Sequence, residues 1–325
     1  MNWSTRTNFV MPIESLNRSV DVEQVPVSNW EDSSNLLVKD GFWKPYWELT
    51  KPRLSVLSII TAIVGYLCAQ QSHEWLLFVA FLFGTCLCAG SAGALNQWFE
   101  WKTDSLMVRT QGRPIPSGII SPKSSLLYGL ILGIIGFFSL FFVVNYLSAL
   151  IAFTTIFSYV LIYTPLKKLT HWCTEIGAIP GALPPLIGWS AATGSTGVLG
   201  WLLFAILLAW QIPHFMALAW TFRNDYKVGG YRMVPLIDPT GTFTAGRALF
   251  FALILLPISL APYWFSETSW LYGSVAFVMG VWYCKKSWQF YSSIEKERTA
   301  KSLFICSIIY LPVVLLALVV DRCYF

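Results

Sequence analysis

Asn96, Glu100 and Asp104 stand four residues apart in the run Asn96-Gln-Trp-Phe-Glu100-Trp-Lys-Thr-Asp104. On an α-helix each step of four turns the side chain by only about 40°, so the three share a face. Oxygen-bearing side chains along one face at the end of an apolar stretch are costly unless they are used. Hard oxygen donors suit Mg²⁺, which takes one or two carboxylates and completes its shell with water and substrate phosphates. Arg109 and Arg113 follow, again four apart. They can pair with Glu100 and Asp104, or grip a diphosphate, which a planar guanidinium meets at two points. Any one of these residues alone reads better as an interfacial helix end with ordinary ion pairs. The set, in this order, reads as a metal-diphosphate site.

A second polar segment, Arg223-Asn-Asp225-Tyr-Lys227-Val-Gly229, offers one carboxylate flanked by bases. Asp238, beside Pro239, reads as a turn residue. In Tyr163-Thr-Pro165-Leu-Lys167, the proline is expected to end or kink a helix, leaving Tyr163 and Lys167 near one mouth. Equally, these are an interfacial tyrosine and ordinary cytoplasm-facing lysines. His214, within Trp210-Gln-Ile-Pro213-His214, lies inside an apolar run. It is either a ligand, for example to heme iron, or a histidine hydrogen-bonded to a neighbouring helix. His73 and His171 fall in short connections.

The elements that must hold these groups are set by composition. Of 325 residues, 55% are apolar and 12% charged, with a mean hydropathy of +0.58. A soluble domain carries about 25% charged residues, so soluble globular, disordered and fibrous classes are excluded. Nine apolar stretches of membrane-crossing length are expected at 54–70, 75–96, 124–143, 147–163, 175–193, 198–220, 246–264, 270–287 and 302–320. The chain divides into a polar tail, 1–50, and a membrane domain, 51–325. Every Lys and Arg except Arg322 lies before the first stretch, in the even-numbered connections, or within three residues of them at the end of a flanking stretch. The excess of positive charge marks the cytoplasmic side, so the N-terminus is expected inside and the C-terminus outside. The acids of both segments then share the cytoplasmic face. Met1–Val10 lacks the core of a signal peptide, and Glu14, Asp21 and Glu23 do not suit a mitochondrial presequence. A bacterial cytoplasmic membrane is the expected location, ahead of the mitochondrial inner membrane. The seven Cys include no C-x-x-C pair and read as small buried hydrophobes.

The acidic run resembles the first motif of the intramembrane prenyltransferases of the UbiA superfamily. Tyr163-x-x-x-Lys167 and Asp225-x-Lys227-x-Gly229 resemble two further elements of that superfamily. Within it, four stretches are similar to the branch that farnesylates heme B: Leu49-Thr-Lys-Pro-Arg53, Met107-x-Arg-Thr-x-x-Arg-Pro114, Gly181-Ala-x-Pro-Pro-Leu-Ile-Gly-Trp189 and Pro213-His-Phe-x-Ala-Leu-Ala219. The resemblance covers about 49–320. The sequence departs from the superfamily pattern in having Glu100 for the usual Asp, and Thr221 and Gly229 where a second acid is usual.

The resemblance implies an all-α bundle of about nine transmembrane helices around a central cavity open to the bilayer. It implies transfer of a farnesyl group from farnesyl diphosphate to the 2-vinyl group of heme B, with addition of water, giving heme O for terminal oxidases. Asn96, Glu100, Asp104 and Asp225 would be the catalytic residues and Mg²⁺ ligands. Lys51, Arg53, Arg109, Arg113, Tyr163, Lys167, Arg223, Lys227 and His214 would bind substrate. The implied partners are the lipid bilayer and a heme A synthase or oxidase assembly factor, with no nucleic acid. The alternatives are a UbiA-type enzyme acting on another aromatic acceptor, such as a quinone or chlorophyll precursor, and more distantly a transporter. The clustering of the acids at one membrane face disfavours the transporter.

Overall fold

The computed structural model describes residues 43–69 and 75–324, and among these every regular element is helical. Most of the expected polar tail, and His73, lie outside the described residues. A short helix α1 (Trp43–Leu49) leads into α2 (Pro52–Leu67) and α3 (Trp75–Asp104). Helix α4 (Pro122–Ser139) runs into a π turn, Leu140–Val144. Helix α5 (Tyr146–Phe157) passes through a second π turn, Ser158–Tyr163, into α6 (Thr164–Leu169). Then come α7 (Cys173–Ala182), α8 (Pro184–Thr193) and α9 (Val198–Thr221). The last polar segment holds α10 (Arg223–Val228) and α11 (Val234–Ile237), before α12 (Thr242–Trp264), α13 (Trp270–Ser292) and α14 (Lys296–Tyr324).

Among the described residues, six helical stretches are long and apolar enough to cross a membrane: 75–104, 122–144, 146–169, 198–221, 242–264 and 296–324. The chain is a multi-pass membrane protein. The other three expected stretches coincide with the 16-residue α2, with α7 and α8, and with α13, which carries Lys285 and Lys286 near its end. Helices α7 and α8 meet at Leu183 because Pro184 and Pro185 supply no N–H to continue the ladder. Helix α3 overruns its expected limit at 96 by two turns, since the polar groups on those turns find buried partners.

The bundle has two half-cores. Ala62, Tyr66, Phe81, Leu140, Ala152 and Leu186 form one among α2, α3, α4, α5 and α8. Leu203, Trp210, Tyr272, Tyr283, Phe290 and Tyr310 form the other among α9, α12, α13 and α14. The buried tyrosines satisfy their hydroxyls: Tyr283 donates to the Trp210 carbonyl at 3.1 Å and Tyr272 to that of Ser259 at 2.8 Å. Outward, α4 and the π turn after it present Leu127, Ile131, Ile134, Phe138 and Phe142, exposed as a lipid-facing surface requires.

Helices α2 and α8 cross almost backbone to backbone. A Cβ on Gly188 would stand 1.8 Å from the Ala62 carbonyl oxygen, and one on Gly65 would stand 1.9 Å from that of Pro185. Without a hydrophobic drive between helices in lipid, such small-residue approaches bring association through close packing. The contact fixes the C-terminal half of α2 against α8.

Candidate active site

A cavity of about 450 Å³ opens between the half-cores, and Glu100, Asp104, Lys51, Arg113 and Lys167 all line it. Each oxygen-bearing group of the acidic run is matched by a cation from elsewhere. Lys167 Nζ donates to both carboxylate oxygens of Glu100, at 2.9 and 3.1 Å. Arg113 Nη1 lies 2.5 Å from Asp104 Oδ2. Lys51 Nζ donates to Asn96 Oδ1. Asn96 is fully buried, and its Nδ2 donates to Thr164 Oγ1 at 2.7 Å.

Local backbone devices aim these cations. Of the two outcomes expected at Pro165, an end or a kink, the end does not occur, and the helix runs on to Leu169. The ladder widens into the π turn instead, so that the Thr164 N–H reaches Tyr159 O, to which Thr164 Oγ1 also donates at 2.8 Å. Such turns recur at functional sites because they re-aim the side chains they carry. This one sets Tyr163 beneath Lys167, whose Nζ is 4.6 Å from the ring centroid. Gly177 of α7 makes room, since a Cβ there would be 2.4 Å from the Tyr163 ring. Lys51 adopts φ 51°, ψ 56°, immediately before Pro52. That left-handed conformation costs a side-chain-bearing residue roughly 1–2 kcal/mol, and here it turns the ammonium into the cavity.

Burial pushes the Lys51 ammonium down from its ordinary 10.5 to about 7, and the Arg113 guanidinium adds to the shift. Between those values the folded protein holds fewer protons than the unfolded chain, so folding gains stability as pH rises from about 7 towards 10.5. The melting temperature of the ligand-free protein is therefore expected to gain from Lys51 across that window, and the gain to vanish in Lys51→Met. Identical pH profiles for the two proteins would refute this.

The expected substrate-binding residues divide. Lys51, Arg109, Arg113, Tyr163, Lys167 and His214 line the cavity. Arg53 and Lys227 are exposed and outside the lining. Arg223 turns away, pairing with Glu297 and lying 4.5 Å over the Trp220 ring. Asp225 is also outside the lining, about a third exposed, with its Oδ2 3.9 Å from Arg109 Nε. Asp238 keeps its reading as a turn residue: Oδ2 accepts the Thr244 N–H at 2.7 Å and the Thr244 hydroxyl at 2.8 Å.

Tyr231 escaped the sequence reading. Its hydroxyl donates to Glu100 Oε1 at 3.0 Å, across 131 residues. The available signal was the Gly229-Gly230 pair before it. Gly230 takes φ 67°, and the Arg232 N–H then bonds the Lys167 carbonyl at 2.8 Å, pinning this loop beside α6.

His214 lies between the rings of Trp210 and Phe304, with centroids at 5.0 and 4.9 Å. Its Nδ1 is 2.7 Å from Ser307 Oγ on α14. Because Ser307 gives its proton to the Phe304 carbonyl at 2.5 Å, it accepts from Nδ1–H, and Nε2 keeps its lone pair.

Among the described residues no three His, Cys, Asp or Glu side chains cluster as a preformed cage. Two cavity-facing carboxylates within a ring of cations instead fit a Mg²⁺ that arrives with phosphate oxygens.

The chain matches the UbiA prenyltransferase family model over residues 58–309. A protoheme IX farnesyltransferase from Opitutus terrae is 46% identical over 277 residues, 85% of this chain and 94% of that relative. Another from Solibacter usitatus is 39% identical over 86% of this chain and 99% of that relative. A solved structure described as digeranylgeranylglyceryl phosphate synthase superposes with a TM-score of 0.75 at 20% identity, covering 87% of this chain and 99% of that one. A UbiA homologue from Archaeoglobus fulgidus bound to GPP and Mg²⁺ superposes with a TM-score of 0.61 at 13% identity, over 85% and 99% of the two chains.

Proposed function

The chain belongs to the UbiA prenyltransferase family, and from that membership we propose that it transfers a farnesyl group from farnesyl diphosphate to the 2-vinyl group of heme B, forming heme O. The observation that carries the reading is the ring of Lys51, Arg113 and Lys167 around Glu100 and Asp104 at the mouth of an aromatic cavity, together with relatives that bear this activity across nearly their full lengths.

Glu100 and Asp104 would hold Mg²⁺, with Asn96 behind them and Asp225 contributing from the facing segment. Bound there, Mg²⁺ neutralises the diphosphate and eases its departure. Lys167, Arg113, Lys51 and Arg109 take the phosphate oxygens, on which negative charge grows as the C1–O bond breaks. Tyr159, Tyr163, Tyr226 and Tyr231 line the cavity, and their ring faces stabilise the allylic cation while excluding water from it. The vinyl group then forms the new C–C bond. Water adds to the resulting cation with loss of a proton, and diphosphate is released. His214 Nε2 contacts the heme iron and orients the porphyrin.

The enzyme works in the bacterial cytoplasmic membrane with its basic face inside. It passes its product to a heme A synthase or an oxidase assembly factor. Purified protein given heme B, farnesyl diphosphate and Mg²⁺ is expected to yield a heme with the mass of the hydroxyethylfarnesyl product, and none after chelation of Mg²⁺. Normal binding of farnesyl diphosphate without any modified heme would refute the assignment of the acceptor.

A further inference from the structure

Beyond the carboxylates, the face of α3 that lines the cavity changes from acids to small side chains. Ala92, Ala89 and Thr85 follow at spacings of three and four, and each lines the cavity. One turn further, where this winding row would continue, Phe81 is fully buried and stacks on Tyr66 of α2, with ring centroids 5.1 Å apart. Phe78 meets the same Tyr66 ring edge-on at 5.2 Å. The lining row ends at Thr85, and the Phe81–Tyr66 pair packs behind it along the same helix face. Thr85 is 4% exposed and its hydroxyl has no partner in the protein.

The dimensions are those of a chain of defined length. From Glu100, where the diphosphate sits on the family reading, to Thr85 the helix rises about 22 Å, of which the diphosphate head and its metal take the first part. At ordinary bond lengths the twelve-carbon backbone of a farnesyl group spans about 14 Å, and one more isoprene unit adds roughly 5 Å. The opposite wall carries Trp210, His214 and Phe215, whose flat rings suit a planar acceptor better than a narrow aliphatic chain.

We propose that the row Ala92–Ala89–Thr85, backed by Phe81 and Tyr66, is a length gauge that sets three isoprene units as the longest prenyl chain the site seats. The gauge rests on the family reading, which places a prenyl diphosphate at Glu100 and Asp104. The terminal double bond of the chain is a weak acceptor for the unpartnered Thr85 hydroxyl, so the far end favours a prenyl over a saturated tail.

The test is binding alone, with no heme present. Geranyl, farnesyl and geranylgeranyl diphosphate are titrated calorimetrically into the whole detergent-solubilised protein with Mg²⁺. Ala89→Leu is expected to weaken farnesyl diphosphate by about tenfold or more while leaving geranyl diphosphate within about threefold, the scale of a filled hydrophobic subsite. Phe81→Leu, which shortens the plug yet keeps it apolar, is expected to tighten geranylgeranyl diphosphate relative to farnesyl. An unchanged farnesyl-to-geranyl affinity ratio in Ala89→Leu overturns the gauge, whether both ligands bind normally or both weaken together. Absence of Mg²⁺-dependent binding of all three ligands to the unsubstituted protein overturns the family-based placement of the diphosphate, and the gauge with it.

Discussion

Asp104→Asn is expected to lower farnesyl transfer by about 10³-fold while leaving the protein folded. Asp104 is buried and its carboxylate is paired with Arg113. Asparagine keeps the size and an oxygen for Arg113 to bond, so the fold persists and the melting temperature moves little. What is lost is the negative charge that binds Mg²⁺ and sets the electrostatics at the breaking C1–O bond. Charged groups aimed at such positions in a water-poor site are each worth about 10²–10³ in rate, and a metal ligand carries the metal's contribution as well. The measurement is kcat at saturating Mg²⁺, beside a melting curve. Retention of more than about a tenth of the activity would remove Asp104 from the metal site, because neither effect of that size would then be present.

Much of this centre was legible because helix periodicity translates spacing into direction. The four-residue steps of Asn96, Glu100 and Asp104 place them on one face whatever packs against it, and Arg113 was a stated partner for them. The partners of Glu100 were not legible from spacing. Lys167 arrives through a π turn that sequence periodicity does not announce, and Tyr231 through a glycine turn more than a hundred residues away. Arg53, Arg223 and Lys227 looked equivalent to the cavity-lining bases because each is a cation beside a motif. Their directions depend on tertiary partners such as Glu297. Likewise the apolar stretches were visible as hydropathy, but the closeness of α2 to α8 depends on Gly65 and Gly188 meeting across the bundle.

Gly188→Ala is expected to cost the folded state at least about 3 kcal/mol, the upper range for overpacking a tight core. The added Cβ would stand 1.8 Å from the Ala62 carbonyl oxygen and 2.8 Å from the Tyr66 backbone nitrogen. Both are backbone atoms, so no rotamer change relieves the overlap and α2 must shift as a body. Since α2 also lines the cavity through Ser58, Ile59 and Thr61, activity is expected to fall with stability. Gly246→Ala is the matched control, because its Cβ would meet the Tyr291 ring at 3.7 Å, an ordinary contact. Melting curves and retained transferase activity distinguish the two. Equal melting temperatures for both variants would contradict the close crossing.

The matched pairs at the carboxylates also bear on what the site refuses. Lys167 on Glu100 and Arg113 on Asp104 are already complementary before any ligand arrives. A stray divalent ion must dislodge a lysine or arginine and leave that cation facing a second positive charge. A phosphate that takes Lys167 or Arg113 must strip that cation from its acid and leave a buried carboxylate unpaired. Only an occupant that carries both signs gives every displaced group a new partner. Lys51, held by the neutral Asn96 amide, tips the resting site towards phosphate, so a bare metal ion is what it refuses most strongly.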